Sequence, residues 1–145
     1  AIFGGSANIE GKTLEAHGAE PVVTPVRELG IPAYEELDVI ARSRCVARHP
    51  AMYRRLMAAV KRGTKAAIQD PQSAARLIKE SLHGDPEATP GEWKAQLEAT
   101  LPLLSRSNRI DLAQAADLVQ WMGEKGLIEE EPPVEHLFTN DYLAP

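Results

Sequence analysis

The sequence has little of what most catalytic and nucleic-acid-binding sites require. Cys45 is the only cysteine among 145 residues, so neither an internal disulfide nor a cysteine-based metal site can form. Aromatic residues make up 5% and the net charge is −5, which argues against a basic nucleic-acid interface with stacking platforms. No hydrophobic run is long enough to span a membrane. The remaining composition, 43% hydrophobic and 26% charged, is typical of a globular protein.

The histidines also lack the spacing of a metal or catalytic motif. There are four of them: His17, His49, His83 and His136. No H-x-x-H, H-E-x-x-H or G-x-S-x-G pattern occurs, and three of the four lie at predicted helix ends. The sequence therefore predicts no catalytic residue, no metal site and no cofactor.

The N-terminus begins abruptly with Ala1-Ile2-Phe3-Gly4-Gly5, without methionine and without a signal peptide. This start is typical of the middle of a strand and the turn that follows it. We therefore expect the 145 residues to be a piece of a longer polypeptide, whose compartment these residues do not decide.

Residues 1–41 alternate short strands with a helix, which is typical of an α/β layer. The strands are predicted at residues 2–3, 21–25 and 37–41, and the helix runs from about Asn8 to His17 and ends at Gly18. Two or three strands form a poor sheet by themselves. We expect the sheet to use further strands from sequence that is not present here.

From residue 50 onward the apolar residues repeat at helical spacing. Pro50 begins a predicted helix that runs to Gln69, and Asp70 is the N-cap of the next, which ends at His83-Gly84. A capping box at Thr89–Glu92 begins a third helix, which ends near Pro102. A fourth helix is predicted over Asp111–Lys125. Residues 129–133 are acidic and contain proline, so we expect a loop there.

Two short segments carry candidate ligand contacts. In the first, the Gly4-Gly5-Ser6 turn is followed by Asn8 and Glu10. Asparagine and glutamate suit a helix start, yet the same position can expose them to a cleft, where they recognise the edge of a heterocycle. From the residues alone the capping role ranks first, and the plain turn is the favoured interpretation of Gly4-Gly5-Ser6.

The second segment, Gly30–Arg44, places polar side chains beside a predicted strand. Glu35 and Glu36 are adjacent, so their side chains point opposite ways in an extended segment. Glu35 and Glu36 therefore cannot act as an acid–base pair on one bond. Two arrangements are about equally plausible. Either one of the two glutamates faces a cleft, or both face solvent.

Half of the chain's 16 basic residues fall between positions 42 and 65. Most of them lie on one face of the predicted Pro50–Gln69 helix. A solvated face is strongly favoured for this run, and a docking surface for a partner is the alternative.

An ordered set of motifs resembles one family along essentially the whole chain. The matching stretches are Gly4–Gly11, Glu28–Leu37, His49–Pro50, Asp70–Ala74, Trp121–Ile128 and Thr139–Leu143. They resemble substrate-binding proteins of ABC importers, in the branch that binds thiamine pyrimidine precursors.

The resemblance implies an α/β, periplasmic-binding-protein-like (type II) fold in which ligand binds between two lobes. Residues 1–41 would end the second lobe and lead to a hinge strand, and residues 42–145 would return to the first lobe as a helix-rich portion. The implied ligand contacts are Gly5, Ser6, Asn8, Glu10, Tyr34 and Glu36.

The implied function is the capture of a small heterocyclic nutrient, without catalysis, for an ABC permease. The parent protein would be periplasmic or anchored outside the cytoplasmic membrane, and it would bind no nucleic acid. The missing N-terminal half would complete the cleft, and a strand-exchanged homodimer of the fragment is a further expectation.

Two alternatives remain. The first is an enzyme of thiamine pyrimidine-precursor synthesis on the same fold. Fungal members of that branch carry a cysteine-rich stretch where this chain has Ile31–Glu36, and that difference argues against the enzyme. The second alternative is a purely helical interaction module, which the predicted strands before residue 42 disfavour.

Overall fold

The computed structural model describes residues 1–81 and 90–143. This part of the chain is helical and contains no strand. In chain order its helices are α1 (Glu10–Ala16), α2 (Ser43–Arg48), α3 (Pro50–Gln69), α4 (Pro71–Ser81), α5 (Pro90–Thr100), α6 (Leu112–Glu124) and α7 (Val134–Leu137), with 3-10 turns at Val26–Leu29 and Leu101–Leu103.

Several helix ends follow the sequence signals. Proline starts α3 at residue 50, and the Asp70 carboxylate caps α4 by accepting a 3.0 Å hydrogen bond from the Ser73 amide. Asp111 caps α6 in the same way, accepting from the Ala113 amide at 3.0 Å. Pro102 ends α5 in a 3-10 turn because its ring cannot continue the helix. The predicted stop at His83-Gly84 and the Thr89 part of the capping box lie outside the described residues.

The predicted strands are wrong for this structure. Residues 2–3, 21–25 and 37–41 lie outside regular secondary structure, and the side chains of Val22 and Ile40 are 96% and 92% exposed. Branched apolar residues favour a strand only where neighbouring strands or a helix cover them, and these segments have no such cover. The described residues are therefore helix-rich and do not confirm the α/β class.

The chain divides into two compact units. The first unit consists of Ala1–Val23 and Lys61–Arg106. In it, α5 packs against both α1 and α4. Polar side chains join α5 to the α1 region: Asn8 donates to Thr100, Gln96 donates to Thr13, and the His17 ring lies 3.7 Å from the Glu92 carboxylate.

The second unit consists of Thr24–Val60 and Ser107–Pro145. Here α6 packs against α7, and the Asn140 side chain forms two 3.0 Å hydrogen bonds with the backbone of Ile110. The rings of Tyr53 and Tyr142 meet edge to face at 6.3 Å, with the Arg54 guanidinium 5.6 Å from the Tyr142 ring centre. These contacts tie the C-terminal segment to α3.

Apolar faces of the helices are only partly covered. Ala115 in α6 is the one buried hydrophobic residue in the described part of the chain, and it is still 9% exposed. The apolar residues that repeat at helical spacing include Met52 and Leu56 on α3 and Leu77 on α4, all of which are exposed. The helical periodicity was predicted correctly, but the described residues supply little for these faces to pack against.

Candidate ligand-binding site

Two glycines shape the N-terminal turn that carries the first predicted contacts. Gly4 adopts a φ of +77°, a left-handed conformation that favours glycine. A Cβ on Gly5 would lie 3.1 Å from the Ile2 side chain, so the main chain passes close to that residue. The Ser6 carbonyl then accepts hydrogen bonds from the amides of Ile9 and Gly11, which joins the turn to the start of α1.

Glu10 holds this turn from its C-terminal side. Its carboxylate accepts a 2.7 Å hydrogen bond from the Ser6 amide. The bond favours the charged form, so it lowers the pKa of the Glu10 carboxyl below 4.5. The side chain thus closes the turn that precedes α1 and does not cap the helix, whose N-cap Ile9 has no side-chain hydrogen bond.

Asn8 has a different partner from the one that its sequence position suggests. Its side-chain amide donates a 2.8 Å hydrogen bond to the Thr100 hydroxyl at the end of α5, and that hydroxyl donates to the Gln96 carbonyl at 2.7 Å. The N-cap of α1 is Ile9, without a side-chain cap. Asn8 therefore ties the turn to α5 and does not cap α1.

Tyr34 and Glu36 form the second predicted pair. They lie in an irregular segment after the 3-10 turn at Val26–Leu29, where Gly30 has a φ of +84°. The Tyr34 hydroxyl donates a hydrogen bond to the Glu36 carboxylate, and this bond raises the pKa of the phenol above 10.0. Tyr34 is 38% exposed, so its ring presents an open face beside a negative charge.

Leu37, which follows this pair, is an unusual residue for its conformation. Its φ is +62° and its side chain is 94% exposed. A branched side chain in the left-handed region is strained by about 1–2 kcal/mol. No burial of the side chain offsets this cost in the second unit.

The six predicted contacts belong to both units. Gly5, Ser6, Asn8 and Glu10 lie in the first unit, where Ser6 and Glu10 are joined directly. Tyr34 and Glu36 lie in the second unit and are joined to each other. Their role as ligand contacts remains a prediction.

Histidine and cysteine side chains have structural surroundings in the described residues. The His17 ring lies 2.8 Å from the Thr13 carbonyl oxygen, and His49 ends α2. Cys45 is half-buried within α2. Within residues 1–81 and 90–143, no three histidine, cysteine, aspartate or glutamate side chains are grouped to hold a metal ion.

The first unit also contains a hollow of about 240 Å³ that the sequence interpretation missed. We call it the cationic hollow; it is lined by Lys61, Lys65, Ile68, Gln69 and Arg106. The four α3 residues share one helical face, a signal that is visible in the sequence. Arg106, 37 positions beyond Gln69, has no such signal because its position depends on the turn after α5.

Comparison with known proteins gives one match. A family model described as NMT1/THI5 like matches residues 1–74, a segment that contains all six predicted contacts. Neither a curated protein nor a solved structure matches the chain. No helix in the described part of the chain combines the length and apolarity needed to cross a bilayer.

Proposed function

The chain belongs to the NMT1/THI5-like family, and from that premise we propose that it is part of the solute-binding component of an ABC importer. Its ligand is a small heterocycle, a pyrimidine precursor of thiamine. Family membership supports a solute-binding or thiamine-precursor-related role, and the family has a periplasmic-binding-protein-like fold.

The observation that carries the proposal is the Tyr34–Glu36 pair. It lies within the matched segment, and it combines an open aromatic face with a carboxylate held beside it. An aromatic ring stacks on a pyrimidine, and a carboxylate accepts hydrogen bonds from an exocyclic amine. Together they provide both parts of the recognition of an aminopyrimidine.

Glu36 can serve the ligand without losing Tyr34. A carboxylate has two oxygens and about four lone-pair positions, so it can accept from the phenol and from an amine together. The Glu36 carboxylate already interacts with the Tyr34 hydroxyl without ligand, so the two groups are near each other before binding.

Asn8 and Glu10 support the turn and retain atoms for a ligand. Asn8 donates to Thr100 through its nitrogen, and its amide oxygen is a further acceptor. Glu10 accepts from Ser6 through one carboxylate oxygen and has a second. With the main chain of Gly5 and Ser6, they are the ligand contacts proposed for the N-terminal turn.

The proposed architecture is α/β and bilobal, with residues 1–41 leading to the hinge and residues 42–145 returning to the first lobe. The exposed apolar faces of α3 and α4 support a further part of the parent protein that covers them. That part is the missing N-terminal half, and exchange of strands between two copies is the competing arrangement. The parent protein delivers ligand to an ABC permease outside the cytoplasm.

Calorimetry on the full natural protein tests this function. We expect 4-aminopyrimidine to bind more tightly than pyrimidine, because only the former has an amine for Glu36. Equal affinity for the two compounds, or no binding of either at millimolar concentration, would contradict the proposal. The 145 residues alone are expected to bind more weakly than the full protein, since part of the cleft lies outside them.

Synthesis of the precursor is the alternative within the same family. It would require the protein to consume a cofactor or one of its own side chains. Mass spectrometry of the protein and ligand after incubation separates the two functions. Recovery of unmodified ligand and an unchanged protein mass supports binding, and turnover or a changed mass supports the enzyme.

A further inference from the structure

The cationic hollow places three positive side chains around one space within the first unit. Lys61 and Lys65 are one turn apart on α3, so their side chains are neighbours on the helix surface. Arg106 comes from the segment after the 3-10 turn at Leu101–Leu103. The three charges thus come from two separate elements that fold together.

The lining is more than a patch of charge. Ile68 lies on the next turn of the same α3 face, and apolar surface dominates the hollow. Lysine and arginine can contribute to that surface because their aliphatic stems are apolar and carry the charge only at the far end. Gln69 adds an amide that can donate or accept. The hollow therefore suits a ligand with an anionic head and a short apolar body.

Size and charge narrow the ligand class. A volume of about 240 Å³ is below that of pockets for drug-sized molecules, so the ligand is small. A phosphate monoester carries a charge of about −1.5 to −2 at pH 7, whereas a carboxylate carries one charge. Arginine binds phosphate through two parallel N–H groups, and lysines add compact charges.

We propose that the cationic hollow binds a small organic phosphate monoester, with Arg106 and Lys65 on the phosphate and Ile68 against the organic group. This site is independent of the Tyr34–Glu36 pair, which belongs to the other unit. A negative result for ligand binding at one of the two sites therefore does not bear on the other.

The chain supplies a matched control for a merely solvated cationic face. Arg62 is adjacent to Lys61 on α3, is exposed and does not line the hollow. The whole chain carries a net charge of −5, so non-specific attraction of an anion is weak. Loss of one charge at Arg62 tests general electrostatics, and loss at Lys65 or Arg106 tests the site.

The test is isothermal titration of the full natural protein with phenyl phosphate, inorganic phosphate and benzoate. We expect phenyl phosphate to bind most tightly. Lys65→Gln and Arg106→Gln each weaken it by about tenfold or more, the usual effect of losing a charge-assisted hydrogen bond. Arg62→Gln changes the affinity by less than about twofold. Circular dichroism confirms that the variants fold.

Three results would overturn the proposal. If phenyl phosphate does not bind, or binds all variants with equal affinity, the proposed site does not exist. If inorganic phosphate binds as tightly as phenyl phosphate, the organic group of the ligand contributes nothing to the affinity. If benzoate binds as tightly as phenyl phosphate, the site does not prefer a phosphate to a carboxylate. A further expectation is a roughly tenfold weaker affinity at pH 5 than at pH 7.5, because the monoester loses its second charge near pH 6.

Discussion

The two groups of predicted contacts differ in what their side chains already do. In the N-terminal turn, Asn8 binds Thr100 at the end of α5 and Glu10 binds the Ser6 amide, so both side chains have structural partners. In the second unit, the Glu36 carboxylate raises the pKa of the Tyr34 phenol, and Tyr34 keeps an exposed ring. The side chains of the first group thus have structural partners, whereas the proposed ligand contacts of the second group keep an exposed aromatic face.

Backbone strain divides the same two segments. The positive φ in the N-terminal turn belongs to Gly4, which adopts it without cost, whereas the positive φ next to Tyr34 belongs to Leu37. Strained residues tend to persist at functional sites, where geometry outweighs stability. The contrast agrees with a structural role for the turn and a binding role for Tyr34–Glu36.

The largest expected effect is on ligand affinity. Tyr34→Ala removes the stacking face and should weaken 4-aminopyrimidine binding by about 10- to 100-fold, since base–aromatic stacking contributes about 1–3 kcal/mol. The free energy of unfolding should change little, because the ring is exposed. Glu35→Ala serves as the neighbouring control. An unchanged affinity of Tyr34→Ala for 4-aminopyrimidine would contradict a binding role for Tyr34 and Glu36 that the N-terminal turn does not share.

The next effect is on stability. Asn8→Ala should lower the free energy of unfolding by about 1 kcal/mol, because the partly buried Thr100 hydroxyl loses its donor. A double-mutant cycle with Thr100→Ala, followed by urea denaturation, isolates that pair. Additive losses would show that Asn8 does not act through Thr100.

A smaller effect of opposite sign is expected at Leu37. Leu37→Gly should raise the free energy of unfolding by about 0.5–1 kcal/mol, because relief of left-handed strain exceeds the entropy cost of glycine. Leu37→Ala keeps the strain and should give no gain. Thermal denaturation compares the two variants, and an equal response of both would argue against strain at this position.

The smallest effect depends on pH. The Ser6 amide lowers the pKa of Glu10, so the charged carboxylate adds stability above its ordinary pKa, and this contribution is lost as pH falls through the lowered value. Glu10→Gln should therefore lower the urea midpoint at pH 7 and have less effect in acid. Glu20→Gln, at an exposed position beyond α1, is the control. If the urea midpoints of Glu10→Gln and the unchanged protein differ more in acid than at pH 7, the stabilising role of the Glu10 carboxylate is contradicted.

Local signals allowed prediction of much of the helical structure. Pro50 and the Asp70 and Asp111 caps each act within four residues, so their effect is visible in the sequence. The strand at residues 37–41 was wrong because β-branched residues favour a strand only with a partner, which the described residues do not supply. The short helix α2 was missed for a different reason, because its sequence lacks a clear helical stripe.

The sites required contacts that no local pattern reveals. Tyr34 and Glu36 were named only through the resemblance to a binding-protein family, and the structure brings the Glu36 carboxylate into interaction with the Tyr34 hydroxyl. The Asn8–Thr100 contact links residues 92 positions apart, and Arg106 reaches the cationic hollow only after the turn at Pro102. Such distant pairings depend on tertiary packing, which periodicity does not encode.

The central claim is that Tyr34 and Glu36 bind an aminopyrimidine. Its most direct test is an NMR measurement of nuclear Overhauser effects between 4-aminopyrimidine and the full natural protein. We predict contacts between the ligand ring protons and the Tyr34 ring protons, and their loss in Tyr34→Ala. Ligand contacts confined to other residues, with the Tyr34 resonances unchanged at saturation, would contradict the claim.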